Sequence, residues 1–165
     1  EQFYAARVSQ TVLSGGMSGR LFTEVREKRG LVYAVAARYH SLRAHAGVFT
    51  YAGTRPDVAQ QTLEVTVGEI RRLAEGIGDD ELARAKTQLK SSLVMQGEST
   101  SSRAATLASD WYHLARLRSL DELSAAIDAV TTEQVVAHLR EHPAEGFAAL
   151  VIGPEPLDFA AVEEA

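Results

Sequence analysis

LSGGMSGRLFTEVREKRGLVYAVAARY, residues 13–39, decides how the chain folds, because it joins a glycine turn, a charged helix end and a strand in one run. Gly15 and Gly16 interrupt one helical pattern. Leu21, Phe22 and Val25 then recur at helical spacing, until Gly30 stops the helix just after Lys28 and Arg29. Basic residues in a last turn followed by glycine are the signature of a helix C-terminus. From Leu31 to His40 the period changes to two. Leu31, Tyr33, Val35, Ala37 and Tyr39 fall on one face, and Val32, Ala34, Ala36, Arg38 and His40 on the other, which predicts a strand.

Upstream, Phe3, Tyr4, Val8, Val12 and Leu13 share one helical face, and Ser18 is placed to cap the helix that follows the glycine pair. Downstream, Val48–Thr54 alternates and forms an antiparallel hairpin with the first strand. Thr54, Pro56 and Asp57 then supply a cap, a fixed φ and an acidic first turn for a long helix reaching about Glu75. Asp79 is the expected cap of a helix carrying Leu82, Ala85, Leu89 and Leu93 and ending near Gln96–Gly97. A Ser/Thr cluster at Ser99–Ser102 opens another, with Ala105, Leu107, Ala108, Trp111 and Leu114 as its apolar, core-facing side. Two capping boxes, Ser119 with Glu122 and Thr131 with Gln134, predict short helices over 120–130 and 132–141. Phe147–Ile152, bounded by Gly146 and Gly153–Pro154, reads as a buried strand returning to the hairpin. Residues 158–165 form an acidic tail expected to fray, so residues 1–157 make one domain. The order predicts an α+β fold, a mostly antiparallel sheet with helices packed on one face.

The chain has 165 residues, 45% hydrophobic and 24% charged, which suits one domain with a substantial core. A net charge of −5 argues against non-specific nucleic-acid binding, and no apolar run approaches the roughly 20 residues that span a bilayer. With no cysteine, disulfides and thiolate metal sites are excluded. The chain opens in a helix-like segment without an initiating Met, as expected for part of a longer protein.

Through GGMSGRLFTEVREKRGLVYAV (15–35), GTRPD (53–57), DDELARAK (79–86) and FAALVIGP (147–154), the sequence closely resembles the C-terminal type of domain in the M16 family of zinc metallopeptidases. That group includes pitrilysin, insulin-degrading enzyme and mitochondrial processing peptidase, and the implied fold is LuxS/MPP-like. The resemblance implies a domain without zinc that pairs with a zinc-bearing N-terminal half or subunit to enclose a chamber for unfolded peptides. The H-x-x-E-H motif expected near the first helix of a catalytic half is not found near the first helix here. An Arg and a Tyr seven residues apart are present as Arg26 and Tyr33, and the resemblance assigns Arg26 to the substrate backbone and Tyr33 to the scissile carbonyl. A guanidinium fork and a phenol are apt donors for a carbonyl oxygen and the oxyanion that develops on it. A strand ahead of residue 1 is expected in the family, so the fragment should expose a sheet edge and self-associate.

A literal H-x-x-E-H does occur at His138, Glu141 and His142. Two His four residues apart share a helix face and bind zinc if the helix continues and a third ligand arrives. Pro143 follows at once and biases His142 out of the helical region, and only 23 residues remain for a distant ligand, Glu145 and Glu155 among them. The string reads as a decoy, with no zinc expected in this domain and zinc expected in the partner half. Two other readings stand beside the substrate-binding one. The first is a non-proteolytic structural or assembly subunit of the same fold; the second is a small self-sufficient metalloprotease built on His138 and His142.

Overall fold

A computed structural model describes residues 2–163. Helix α1 (Gln2–Ser14) leads through a 3₁₀ turn (Gly16–Ser18) to a π-helix (Phe22–Glu27). The hairpin follows, β1 (Val32–Ser41) and β2 (Ala46–Thr54), antiparallel with Ala37 opposite Thr50 and Val35 opposite Ala52. Five helices come next: α2 (Ala59–Arg72), α3 (Asp79–Glu98), α4 (Thr100–Leu114), α5 (Leu120–Asp128) and α6 (Thr132–Glu141), with a short α7 (Ala160–Glu163) at the end. The core is continuous. Val8, Val12 and Leu13 of α1 meet Leu21, Val25, Leu31, Val32 and Ala37, and Leu73, Ile77, Ala85, Val130 and Val135 close it from the helical side. Helices thus cover one face of an antiparallel sheet, the expected α+β arrangement.

The capping boxes form as the sequence predicts. Ser119 Oγ accepts from Glu122 N (3.1 Å) while Glu122 Oε2 accepts from Ser119 N (2.8 Å), and Thr131 and Gln134 exchange the same pair. Other starts differ. Neither Ser18 nor Thr54 caps a helix: Thr54 Oγ1 donates to Leu31 O (2.6 Å), tying β2 to the start of β1. Gly78, not Asp79, is the N-cap of α3, and its N–H donates to Glu81 Oε2 (2.8 Å).

Three corrections bear on function. On α4 the apolar stripe faces solvent. Trp111 is 65% exposed, Leu107, Ala108 and Leu114 are exposed too, and the side turned inward is Ser102, Thr106 and Asp110. Asp110 decides the orientation, because Arg118 grips its carboxylate with Nε and Nη2 and donates through Nη1 to Tyr4 Oη (2.6 Å) on α1. Secondly, Phe147–Ile152 is not a strand. It is irregular and pairs with neither strand of the hairpin, with Leu150 88% and Ile152 94% exposed. Finally, the tail does not fray throughout. Gln60 exchanges two hydrogen bonds with the Asp158 backbone (2.9 and 3.0 Å), and Val162 is buried; residues 164–165 lie outside the described residues.

The sheet is two-stranded among the described residues, and its two edges differ. At β1, Ala37 N donates to Ser14 Oγ (2.8 Å) and Ala37 O accepts from Gln10 Nε2 (2.8 Å), so α1 closes that edge. Both Ala37 groups point outward, so Ala37 and Thr50 are a non-hydrogen-bonded pair, and Thr50, with Val48 and Ala52 by alternation, presents backbone N–H and C=O to the opposite edge. Val48, Thr50 and Ala52 line a cleft of ≈ 2370 Å³ together with residues 146–157. Unpaired strand edges recruit partners. The isolated chain should gain mass with concentration in sedimentation experiments, and Thr50→Pro, which removes an outward N–H, should reduce the effect. A monodisperse monomer at high concentration would contradict this.

Candidate functional site

The turn into β1 is built by the π-helix. Leu21 and Val25 are fully buried and pin its inner side, while Lys28 N donates to Thr23 O (2.9 Å), five residues back. Gly30, at φ +61°, reverses the chain in the left-handed region where a Cβ would be strained. Gly30 N then donates to Arg26 O (2.9 Å) and Leu31 N to Val25 O (3.0 Å). Each of these bonds spans one residue more than in the usual glycine-terminated α-helix, as π winding requires. Single π turns of this kind concentrate at functional sites.

Three cations crowd this end, and two are engaged. Lys28 Nζ lies 2.7 Å from Glu24 Oε1, and Arg29 Nη1 donates to Glu24 Oε2 (2.8 Å) and to the Glu24 carbonyl (2.7 Å). Lys28 and then Arg29 hold the Glu24 carboxyl below its ordinary pKa. Arg26 is exposed, and its guanidinium lies 4.9 Å from the centroid of the Phe22 ring. It has no carboxylate within ion-pair distance among the described residues. An unpaired guanidinium stacked on an aromatic ring keeps its donors free for an incoming carbonyl.

Tyr33 is not where alternation puts it. Val32 pairs with Thr54 and Ala34 with Gly53, so β1 advances two residues while β2 advances one, and Tyr33 is the unpaired extra residue of a β-bulge. Its side chain leaves the Val35–Ala37–Tyr39 face and lies over Gly53, on the side of the sheet away from the helices, 66% exposed. A bulge re-aims one side chain in this way, and bulges recur beside active sites. Beyond Gly53 the same outer face carries Tyr51 and then Phe49, whose ring meets His40 edge to face (5.1 Å). The neighbouring Tyr33 phenol raises the Tyr51 pKa by favouring its neutral hydroxyl. Phe49, Tyr51 and Gly53 were legible as one face of an alternating strand, although nothing in the spacing marked them as neighbours of Tyr33.

His138, Glu141 and His142 do not converge further. The two rings have centroids 4.8 Å apart, but His142 is the C-cap of α6 at φ −125°, ψ 68°, and Glu141 Oε2 accepts from Gln2 Nε2 (2.9 Å). His138 Nδ1 is buried without a hydrogen-bond partner among the described residues. Burial, then the neighbouring His142, lowers the His138 pKa, with Glu141 acting in the opposite sense. No three His, Cys, Asp or Glu side chains among the described residues are grouped to hold a metal ion. The purified chain should retain no stoichiometric zinc after dialysis. One zinc per chain, lost in His138→Ala, would contradict this and revive the small-protease reading.

Curated relatives and solved structures resemble the chain over most of its length. An uncharacterized zinc protease of Streptomyces coelicolor is 39% identical over 156 residues, covering 93% of this chain and 34% of the relative. One of Bacillus subtilis is 36% identical, covering 93% and 38%. The chain therefore spans about a third of the length of these relatives. The crystal structure of a peptidase M16 inactive domain from Pseudomonas fluorescens superposes with a TM-score of 0.75 at 26% identity, over 85% of this chain and 34% of that one. The family model described as the peptidase M16 inactive domain matches residues 1–89, more than half of the chain, which thus belongs to the M16 inactive-domain family.

Proposed function

We propose that this chain is the substrate-facing, zinc-free domain of an M16 metallopeptidase, in which Tyr33 donates to the scissile carbonyl and Arg26 to the substrate backbone. The observation that carries the reading is the bulge at Tyr33, which brings an accessible phenol to the helix-free side of the sheet, a few residues past an unpaired guanidinium. Neither side chain contributes to the core, so the fold itself does not account for them. In this reading a zinc-bearing half supplies activated water for attack on an unfolded peptide held between the two. The work of this chain is positioning and charge stabilisation. The Tyr33 O–H shortens its hydrogen bond as negative charge gathers on the carbonyl oxygen, and Arg26 holds the neighbouring peptide groups in register. Alone the domain is inactive.

The test is Arg26→Ala in the complex of this chain with its zinc-bearing half. The expected result is a rise in KM with a fall in kcat/KM of about tenfold or more, because a backbone clamp serves ground and transition states alike. Arg26→Lys should recover only part, since an ammonium lacks the two-pronged fork. Unchanged kcat/KM in Arg26→Ala would overturn the assignment.

The exposed stripe of Leu107, Trp111 and Leu114 on α4 favours a second reading, a non-proteolytic assembly subunit of the same fold. The two separate on one observation, peptide hydrolysis by the reconstituted pair.

A further inference from the structure

We propose that Gly53 and Tyr51 of β2 are positioning residues for the Tyr33 hydroxyl, so that the second strand of the hairpin, and not the bulged strand alone, sets where that donor points. The inference rests on the reading of Tyr33 given above. Tyr33 is an extra residue without a cross-strand partner, so its backbone ladder does not fix its side chain. Its ring is fixed from across the hairpin. A Cβ built on Gly53 would stand 2.5 Å from Tyr33 Cζ, 2.7 Å from Cε2 and 2.7 Å from the hydroxyl oxygen, distances at which one group must move. The ring tip therefore rests on the bare backbone of residue 53, and Gly53 is buried beneath it. Glycine is required here for close approach and not for its backbone angle, since Gly53 is not among the positive-φ residues.

Tyr51, two residues back on the same face, supplies the side wall of this seat. Residues two apart on one strand face stand within reach of aromatic side chains, so Tyr51 flanks the Tyr33 ring where it lies over Gly53 and limits its rotation, and the raised pKa of Tyr51 agrees with this. An exposed tyrosine on a bulge would otherwise sample several rotamers, and a donor displaced by an ångström loses much of its effect on a transition state.

The experiment is a double-mutant cycle in the complex of this chain with its zinc-bearing half, using Gly53→Ala, Tyr51→Phe and Tyr33→Phe singly and in pairs. If Gly53 acts through Tyr33, Gly53→Ala lowers kcat at least tenfold with KM little changed, and costs nothing further once Tyr33→Phe has removed the hydroxyl. Tyr51→Phe, which deletes one atom and leaves the fold intact, lowers kcat severalfold, and this loss too vanishes in the Tyr33→Phe background. Should Gly53→Ala fail to fold, the Tyr51 arm decides. Full kcat in the single variants while Tyr33→Phe is slow, or losses that multiply undiminished in the Tyr33→Phe background, would overturn the positioning role alone. Full activity of Tyr33→Phe would instead remove the reading beneath it, and this inference with it.

Discussion

Asp110→Ala should destabilise the chain by about 3 kcal/mol, seen as a lower urea midpoint, although its neighbour Trp111 should be replaceable by Ala within about 0.5 kcal/mol. Hydrophobicity would rank the two the other way. Asp110 is 1% exposed and accepts from Arg118 Nη2 (2.5 Å), Nε (3.2 Å) and the Arg118 backbone N–H (2.9 Å). Its removal leaves a mostly buried guanidinium and a backbone donor without their acceptor, and loosens the Arg118–Tyr4 contact that fastens the α4–α5 connection to α1. Breaking a buried pair by deleting one member costs more than the pair contributes, because the survivor stays desolvated. The pH dependence follows from the direction of the shift. Arg118, foremost by its hydrogen bonds, holds the Asp110 carboxyl below the ordinary carboxylate pKa, with desolvation opposing. A depressed carboxylate stabilises the fold above its unfolded pKa of about 4, and that contribution disappears as pH falls through the lower folded value. Acidification should therefore cost the parent chain more stability than it costs Asp110→Ala. An unchanged urea midpoint in the variant at neutral pH would show that the pair carries no stability.

What could be read from the sequence was local, and what could not was set by partners distant in the chain. The capping boxes at Ser119 and Thr131 need only residues three apart, and both formed. The helix end at Gly30 was equally legible, although the single extra residue that makes the turn a π-helix leaves no mark on an apolar period. The apolar stripe of α4 is legible, but a stripe says which face is greasy and not which side the body lies on; Asp110 and Arg118, eight residues apart, turn the opposite face inward. Phe147–Ile152 has strand composition and lines the same cleft as the open edge of β2, yet it joins no ladder, which composition does not reveal. Arg26 and Tyr33 were identified through resemblance alone. Alternation groups Tyr33 on one face with Leu31, Val35, Ala37 and Tyr39, and only the register of the hairpin, with the slip between Val32 and Ala34, turns it outward onto Gly53.

The second large effect is on turnover. Tyr33→Phe should leave the fold nearly unchanged, since the side chain is exposed and fills no core position, yet it should lower kcat roughly a hundredfold in the complex with the zinc-bearing half. The reasoning is differential. A phenol that meets the carbonyl oxygen gains most when that oxygen becomes negative, so its loss appears in kcat and kcat/KM together and little in KM. Phe keeps the ring that rests on Gly53, so the variant removes the donor without disturbing its seat. The most direct measurement is steady-state kcat of Tyr33→Phe on an unfolded peptide, with zinc content and melting temperature recorded on the same sample. A drop of about two orders of magnitude, with metal and stability as in the parent, is the expected result; parental kcat under those conditions would contradict the assignment of Tyr33 to the oxyanion.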